Sequence, residues 1–190
     1  MQAIRETAEV VSEVLEQHRA RLMEILRRRI DPALVPRADA QDIIQESFIR
    51  ARKRWEDRPE KMALFPWLYR IVMNCLCDEW RRHNRVGQGG LRCEVPWPDQ
   101  SSAQLAGSIT SPSEALARDE QIERVHKVME TLEEEDRNVL TMRIVDGLTL
   151  QETGDMLGVN LNRAAYLFSR AMRRFKKVWQ QLDFGSSVAL

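Results

Sequence analysis

Apolar residues recur at three- and four-residue steps along nearly all of this chain, and no segment of useful length alternates apolar with polar. The first period belongs to an amphipathic helix and the second to a half-buried strand, so the pattern confines the chain to an all-α fold. In the first half, Val10/Val11, Val14/Leu15, His18, Leu22, Ile25/Leu26 and Ile30 trace one long helix. It stops at Asp31-Pro32, because proline restricts the residue before it and cannot continue a helix. A second helix is expected from about Asp39 to Trp55, with Ile44, Phe48, Ala51 and Trp55 inward, and Asp57-Arg58-Pro59 breaks it. A third runs from about Leu64 to Asn84, with Leu68, Ile71, Val72, Cys75, Leu76 and Trp80 inward. These three form an N-terminal helical bundle.

From Val86 to Ser113 the period collapses into mixed glycine, proline and serine, the composition of a linker between two domains. Ser111-Pro112-Ser113-Glu114 then reads as a helix start, with serine at the N-cap, proline in the first turn and Glu114 closing a capping box. That helix spans about Pro112–Leu132, with Ile122, Val125, Val128/Met129 and Leu132 apolar. A short helix over Asp136–Val145 follows, with Val139, Leu140 and Ile144 inward and Asp146-Gly147 at its end. Thr149-Leu150-Gln151-Glu152 forms a second capping box and opens a helix that Gly158 stops after Leu157. A final helix begins near Leu161 or Asn162 and carries Ala164, Phe168, Ala171, Phe175, Val178 and Leu182 inward.

The net charge of zero hides three segments of different sign. Residues 1–92 hold 18 Lys and Arg against 14 Asp and Glu, residues 93–160 hold 5 against 14, and residues 161–190 hold 6 against 1. A polyanion would be drawn to the two ends and repelled by the middle. No apolar run reaches the roughly 18 residues that cross a bilayer. The N-terminus is acidic and amphipathic, without the features of a signal peptide. Three cysteines, Cys75, Cys77 and Cys93, make no disulfide framework and suit a reducing cytoplasm.

A short capped helix, a glycine turn and a longer basic helix make a helix-turn-helix, whose second helix enters the DNA major groove. Arg163, Arg170, Arg173, Arg174, Lys176 and Lys177 all lie on that second helix. The same cations also fit a solvated helix end that complements the helix dipole. Catalytic and metal chemistry find no support. Cys75 and Cys77, two residues apart on a helix, point to different sides. His18, His83 and His126 sit in separate helices. Gly87, Gly89 and Gly90 lack the strand, lysine and hydroxyl of a phosphate loop. No catalytic residue, metal ligand or cofactor is assigned.

Three ordered motifs resemble the extracytoplasmic-function (ECF) class of bacterial sigma factors, the small form of the sigma-70 family. RADAQDIIQESFIRARKRW is similar to region 2.2, through Asp42, Ile43, Gln45, Glu46 and Phe48. FPWLYRIVMNCLCDEWRRHNR is similar to regions 2.3 and 2.4, and LEEEDRNVLTMRIVDGLTLQETGDMLGV to region 4 up to its turn. RIDPALVPRADAQDIIQES and the linker SSAQLAGSITSPSEA are similar to sigma factors of planctomycete-type bacteria.

The resemblance implies region 2 over residues 1–85, a linker over 86–113 and a four-helix region 4 over 114–184. It implies a factor that directs bacterial RNA polymerase core to promoters and assists melting at the −10 element. Its expected partners are promoter DNA, the clamp coiled coil of the largest polymerase subunit, the flap of the second largest and, as a further candidate, an anti-sigma factor. Asp42, Gln45 and Glu46 would contact the polymerase. Trp67, Tyr69, Arg70 and Asn74 would take the opened −10 strand, through aromatic faces for bases, a cation for phosphate and an amide for a base edge. Arg81, Arg82 and Arg85 would grip duplex phosphates. In the last helix Asn162, Arg163, Ala165, Tyr166, Ser169 and Arg170 would face the −35 element, with Arg173 and Arg174 nearer the backbone. The chain departs from the family at Ala165 and Leu167, where many relatives carry Lys or Arg, and at Tyr166, where they carry a small polar residue. The alternative from another class is a helix-turn-helix regulator that acts without polymerase and reads paired half-sites as a dimer.

Overall fold

The computed structural model describes residues 2–30, 39–83 and 112–186, with side chains over 11–30, 39–82 and 120–182. The described residues form seven α-helices and no strand. The chain divides into two compact units, Met1–Ser102 and Ala103–Leu190. The expected linker falls largely outside the described residues, as do Arg85, Cys93 and the Ser111 capping box.

In the first unit, α1 (Gln2–Arg29), α2 (Ala40–Lys53) and α3 (Leu64–His83) pack on one another. Asp39 caps α2 by accepting the Gln41 amide at 3.1 Å, as the sequence at its start requires. Leu15, Leu22, Ile25 and Leu26 of α1 are sealed against Ile44, Phe48 and Ala51 of α2 and Leu68, Val72, Cys75 and Leu76 of α3. Ser47 lies in this core at 1% exposure, where its hydroxyl donates to the Ile43 carbonyl at 2.6 Å and so leaves no unpaired polar group. Trp55 and Trp80 are half-buried rather than inward.

The second unit is organised around its last helix. α4 (Pro112–Thr131), α5 (Glu134–Leu140) and α6 (Leu150–Leu157) each pack on α7 (Leu161–Ser186). Val128, Met129, Leu132, Val139, Leu140, Leu148, Ala164, Leu167 and Ala171 make the core. Phe168, Phe175, Val178 and Leu182 are half-buried rather than inward, and one expected inward residue points out. Ile144 is 58% exposed, because α5 ends in a wide π turn over Thr141–Val145, where the Asp146 amide reaches back five residues to Thr141. The extra residue in that turn shifts the phase of the helix, so that Met142 is buried in place of Ile144.

The helix-turn-helix is built as its punctuation demands. Thr149 and Glu152 complete a reciprocal capping box at the start of α6. Gly158 closes the helix at φ 69°, the left-handed conformation that glycine adopts without steric cost. Gly154 has a different constraint. A Cβ there would lie 2.8 Å from the Val159 carbonyl oxygen and 3.5 Å from Ala164 Cβ, so only glycine lets the turn and α7 close on α6. Mid-helix Gly→Ala substitution ordinarily stabilises by up to about 1 kcal/mol. Gly154→Ala is expected to do the opposite, because overpacking against rigid backbone costs about 1–3 kcal/mol. Urea unfolding of the full chain, with the second-unit transition read at Trp179, measures the sign.

Candidate functional site

On α2 the buried set Ala40, Ile43, Ile44, Ser47, Phe48 and Ala51 leaves Asp42, Gln45 and Glu46 exposed on the opposite side. Ile49 joins them at 45% exposure, an apolar residue that the sequence reading passed over. Its signal was present, since it stands three and four residues from Glu46 and Gln45 and off the inward stripe. Glu46 accepts the Arg50 Nε at 2.8 Å, and Arg50 Nη1 donates to Asp78 of α3 at 2.6 Å. Asp39, Asp42, Glu46, Arg50, Glu79 and Arg82 line a polar cleft of about 300 Å³ along these two helices. Cys75 also lines it, and burial pushes its thiol pKa up.

The α3 candidates separate into two groups. Trp67 and Tyr69 are turned into the bundle, at 7% and 3% exposure, and the Trp67 ring meets Trp55 edge-on at 6.0 Å. In this packing neither ring face is open to solvent. Their spacing explains it, since Leu68 and Val72 mark the inward stripe and both aromatic rings flank it. Arg70 and Asn74, one helical turn apart, are exposed, and Arg81 and Arg82 stand at 51% and 64% exposure near the end of α3. Arg82 pairs with Glu79 at 2.8 Å and Arg81 more loosely with Asp78 at 3.6 Å, both solvent-screened contacts that phosphate can displace.

On α7, the Asn160 side chain accepts the Arg163 amide at 2.9 Å and sets the first turn. Asn162, Tyr166, Ser169 and Arg173 then fall on one exposed stripe, with Arg163 beside it and Ala165 half-buried. The opposite stripe, Ala164, Leu167 and Ala171, is the core. Leu167 therefore stands inward, where a cation would be costly.

Arg170 and Arg174 flank that core stripe and are held by acids from the start of α5. Arg170 donates to Asp136 Oδ1 through Nε at 3.0 Å and Nη2 at 2.7 Å, and also to Glu135. Arg174 Nη1 reaches Asp136 Oδ2 at 2.5 Å and Glu133 at 2.7 Å. The Asp136 side chain has 0% exposure, and Arg170 only 20%. In this structure both guanidiniums are thus turned to α5 rather than outward, and Asp136 is the residue the sequence reading missed. In the sequence it marks only the start of a short helix within the acidic middle. Burial by itself would raise the Asp136 pKa, but the hydrogen bonds and charges of Arg170 and Arg174 outweigh it and hold the carboxyl below its usual range.

Among the described residues, no cluster of three or more His, Cys, Asp or Glu is placed to hold a metal ion. Nor is any described helix long and apolar enough to cross a membrane.

Comparison with known proteins aligns these two surfaces with two family models. Residues 14–86 match sigma-70 region 2, and residues 122–175 match sigma-70 region 4, so the two models together take in more than half of the chain. The chain belongs to the sigma-70 family. It is 30% identical over 122 residues to the ECF RNA polymerase sigma-E factor of Salmonella typhimurium, a stretch that spans 62% of each protein. It is 27% identical over 149 residues to the RNA polymerase sigma-H factor of Pseudomonas aeruginosa, covering 76% of this chain and 75% of that one. The fold resembles that of CnrH, solved in complex with the cytosolic domain of CnrY, at a TM-score of 0.53 and 18% identity over 95% and 94% of the two chains.

In this sigma-70 chain the region 4 match begins in α4 and ends at Phe175, so it contains both the acids at the start of α5 and the arginines they hold. A carboxyl whose folded pKa is depressed stabilises the fold above its unfolded pKa of about 3.9 and loses that contribution as pH falls through the folded value. Asp136→Asn is expected to cost about 3 kcal/mol, the lower end for losing one partner of a buried ion pair. It should also flatten the fall in stability that the unsubstituted chain shows below about pH 4. Urea midpoints measured from pH 7 to pH 3 on both proteins read the two effects together.

Proposed function

We propose that this chain is an ECF sigma factor: a cytoplasmic transcription initiation factor, not an enzyme, that binds bacterial RNA polymerase core and directs it to specific promoters. The observation that carries this reading is the order of two sigma-70 regions, each on its own helical unit and each with an exposed polar face. Region 2 is assigned to residues 1–85 and region 4 to residues 114–184. On α2, Asp42, Gln45 and Glu46 offer acceptors and an amide to the polymerase clamp, and Ile49 adds an apolar contact at the C-terminal end of the same face. A surface of this kind, with charge beside an apolar contact, sets both specificity and association rate.

On α3, Arg70, Asn74, Arg81 and Arg82 are the groups available to −10 DNA. Trp67 and Tyr69 support them from within, and either ring contacts a base only if the bundle repacks around opened DNA. On α7, Asn162, Arg163, Ala165, Tyr166, Ser169 and Arg173 face the −35 major groove. Arg170 and Arg174 act as positioning residues through Asp136. Region 4 would also meet the polymerase flap, and the exposed faces of both regions are the ones an anti-sigma factor would have to cover.

Run-off transcription with purified bacterial core polymerase, this protein and a library of promoter fragments tests the reading. Transcripts that depend on the added protein are the expected result. Absence of both transcripts and co-elution with core favours the polymerase-independent regulator instead. Asp42→Arg combined with Glu46→Arg is expected to weaken co-elution with core more than about tenfold, since like charges across a docking surface cost several kcal/mol. Thermal unfolding of that variant should stay within a few degrees. Among the described residues, the ion pair it loses is the solvent-screened Glu46–Arg50 contact, and Arg50 keeps Asp78.

A further inference from the structure

The first turn of α7 contains one cation whose situation differs from that of Arg170 and Arg174. Arg163 is exposed and, among the described residues, no carboxylate holds it. Its guanidinium instead lies over the ring of Tyr166, 5.1 Å from the centroid. Tyr166 is itself 50% exposed, one of the four large apolar side chains that reach solvent among the described residues. The two are three residues apart, so one helical turn stacks them on the same side. Between them stands Ala165, too short to reach past either neighbour.

We propose that Arg163 and Tyr166 act as one reading unit for a thymine next to a guanine in the upstream promoter element. This rests on the sigma reading above. A guanidinium offers a planar fork that matches guanine O6 and N7, and stacking on an aromatic ring holds the fork in plane before it meets the base. The ring that orients it presents an apolar edge at the depth of the neighbouring base, where the thymine C5-methyl is the apolar group of the major groove. The anchor is also rigid below. Asn160 holds the Arg163 amide, and Ala164 and Leu167 bury the underside of the same turn. The phenolic hydroxyl has no part in this scheme.

The test is transcription by core polymerase with the full chain from a promoter library randomised over the upstream element, read as base preference at each position. Because preferences are ratios within one protein, a variant that folds less well still reports them. The unsubstituted protein is expected to select guanine beside thymine. Arg163→Ala should erase the guanine preference, about tenfold. Tyr166→Ala should erase the thymine preference and weaken that for guanine, whereas Tyr166→Phe should keep both. Replacing the thymine by deoxyuridine, which lacks the methyl, should lower transcription by the unsubstituted protein and leave Tyr166→Ala unaffected. If the protein selects an element but neither variant changes its preferences, the pair is not a reading unit and the sigma assignment stands. If no transcript depends on the protein at all, the sigma assignment and this inference fall together.

Discussion

The carboxylate of Asp136, sealed from water between two arginines, fixes the rotation of α7 about its own axis. Apolar packing alone would leave that rotation loosely set. The core stripe of α7 in its first three turns consists of Ala164, Leu167 and Ala171, two of which are alanines with little shape to specify a register. A buried carboxylate that must be satisfied on both oxygens removes the freedom, because any turn of the helix strands a charge without solvent. Gly154 sets the second coordinate, the distance between α6 and α7, by permitting backbone to approach within the space a Cβ would fill. Together these define where the exposed stripe of α7 points, and a helix that reads base edges depends on that more than on any single contact.

The first unit solves a different problem. Its helices carry long apolar stripes, and Leu15, Leu22, Leu26, Ile44, Leu68 and Val72 fill its centre. On the outer faces of α2 and α3, Glu46, Arg50 and Asp78 form a chain of ion pairs at the surface. Arginines also cover the aromatic core from outside, as Arg21 does at 3.6 Å from the centre of the Phe65 ring. Such side chains shield apolar surface with their stems while their charged ends stay in water. In the proposed role, the outer face of α2 therefore serves docking without being needed for folding.

Much of this was legible in the residues. Helix starts and stops followed from Asp39, Thr149, Glu152 and Gly158, each of which performs at its position the local task its chemistry suits. The seven helices followed from period, and the motif order pointed to the family. What failed to show was anything that depends on which residues meet across distance. The Asp136 pairing joins positions more than thirty residues apart, and an acidic run reads the same whether its members face water or arginine. Arg170 and Arg174 nevertheless carried a hint, since both border the buried stripe of Leu167 and Ala171. Ile144 failed for a local reason, because periodicity assumes a constant turn and the π turn over Thr141–Val145 breaks it. Trp67 and Tyr69, both buried, show a third limit: residue types suited to stacking on bases are equally suited to filling a core.

The charge distribution takes on a more specific meaning once these pairings are known. Three of the acids in the negative middle segment, Glu133, Glu135 and Asp136, are spent on two of the cations of the positive tail. The cations of α7 left to face a polyanion are then Arg163, Arg173, Lys176 and Lys177. DNA affinity from phosphate neutralisation grows with the number of contacts, and so few contacts give weak binding at physiological salt. In the proposed role that weakness is useful. A factor that held promoter DNA strongly by itself would occupy sites without polymerase, whereas two weak readers joined through the enzyme gain affinity by linkage only when both elements are present. In that role the internal ion pairs of region 4 would do two things at once: orient the reading helix and limit its general attraction to DNA, so that base contacts carry a larger share of the selection.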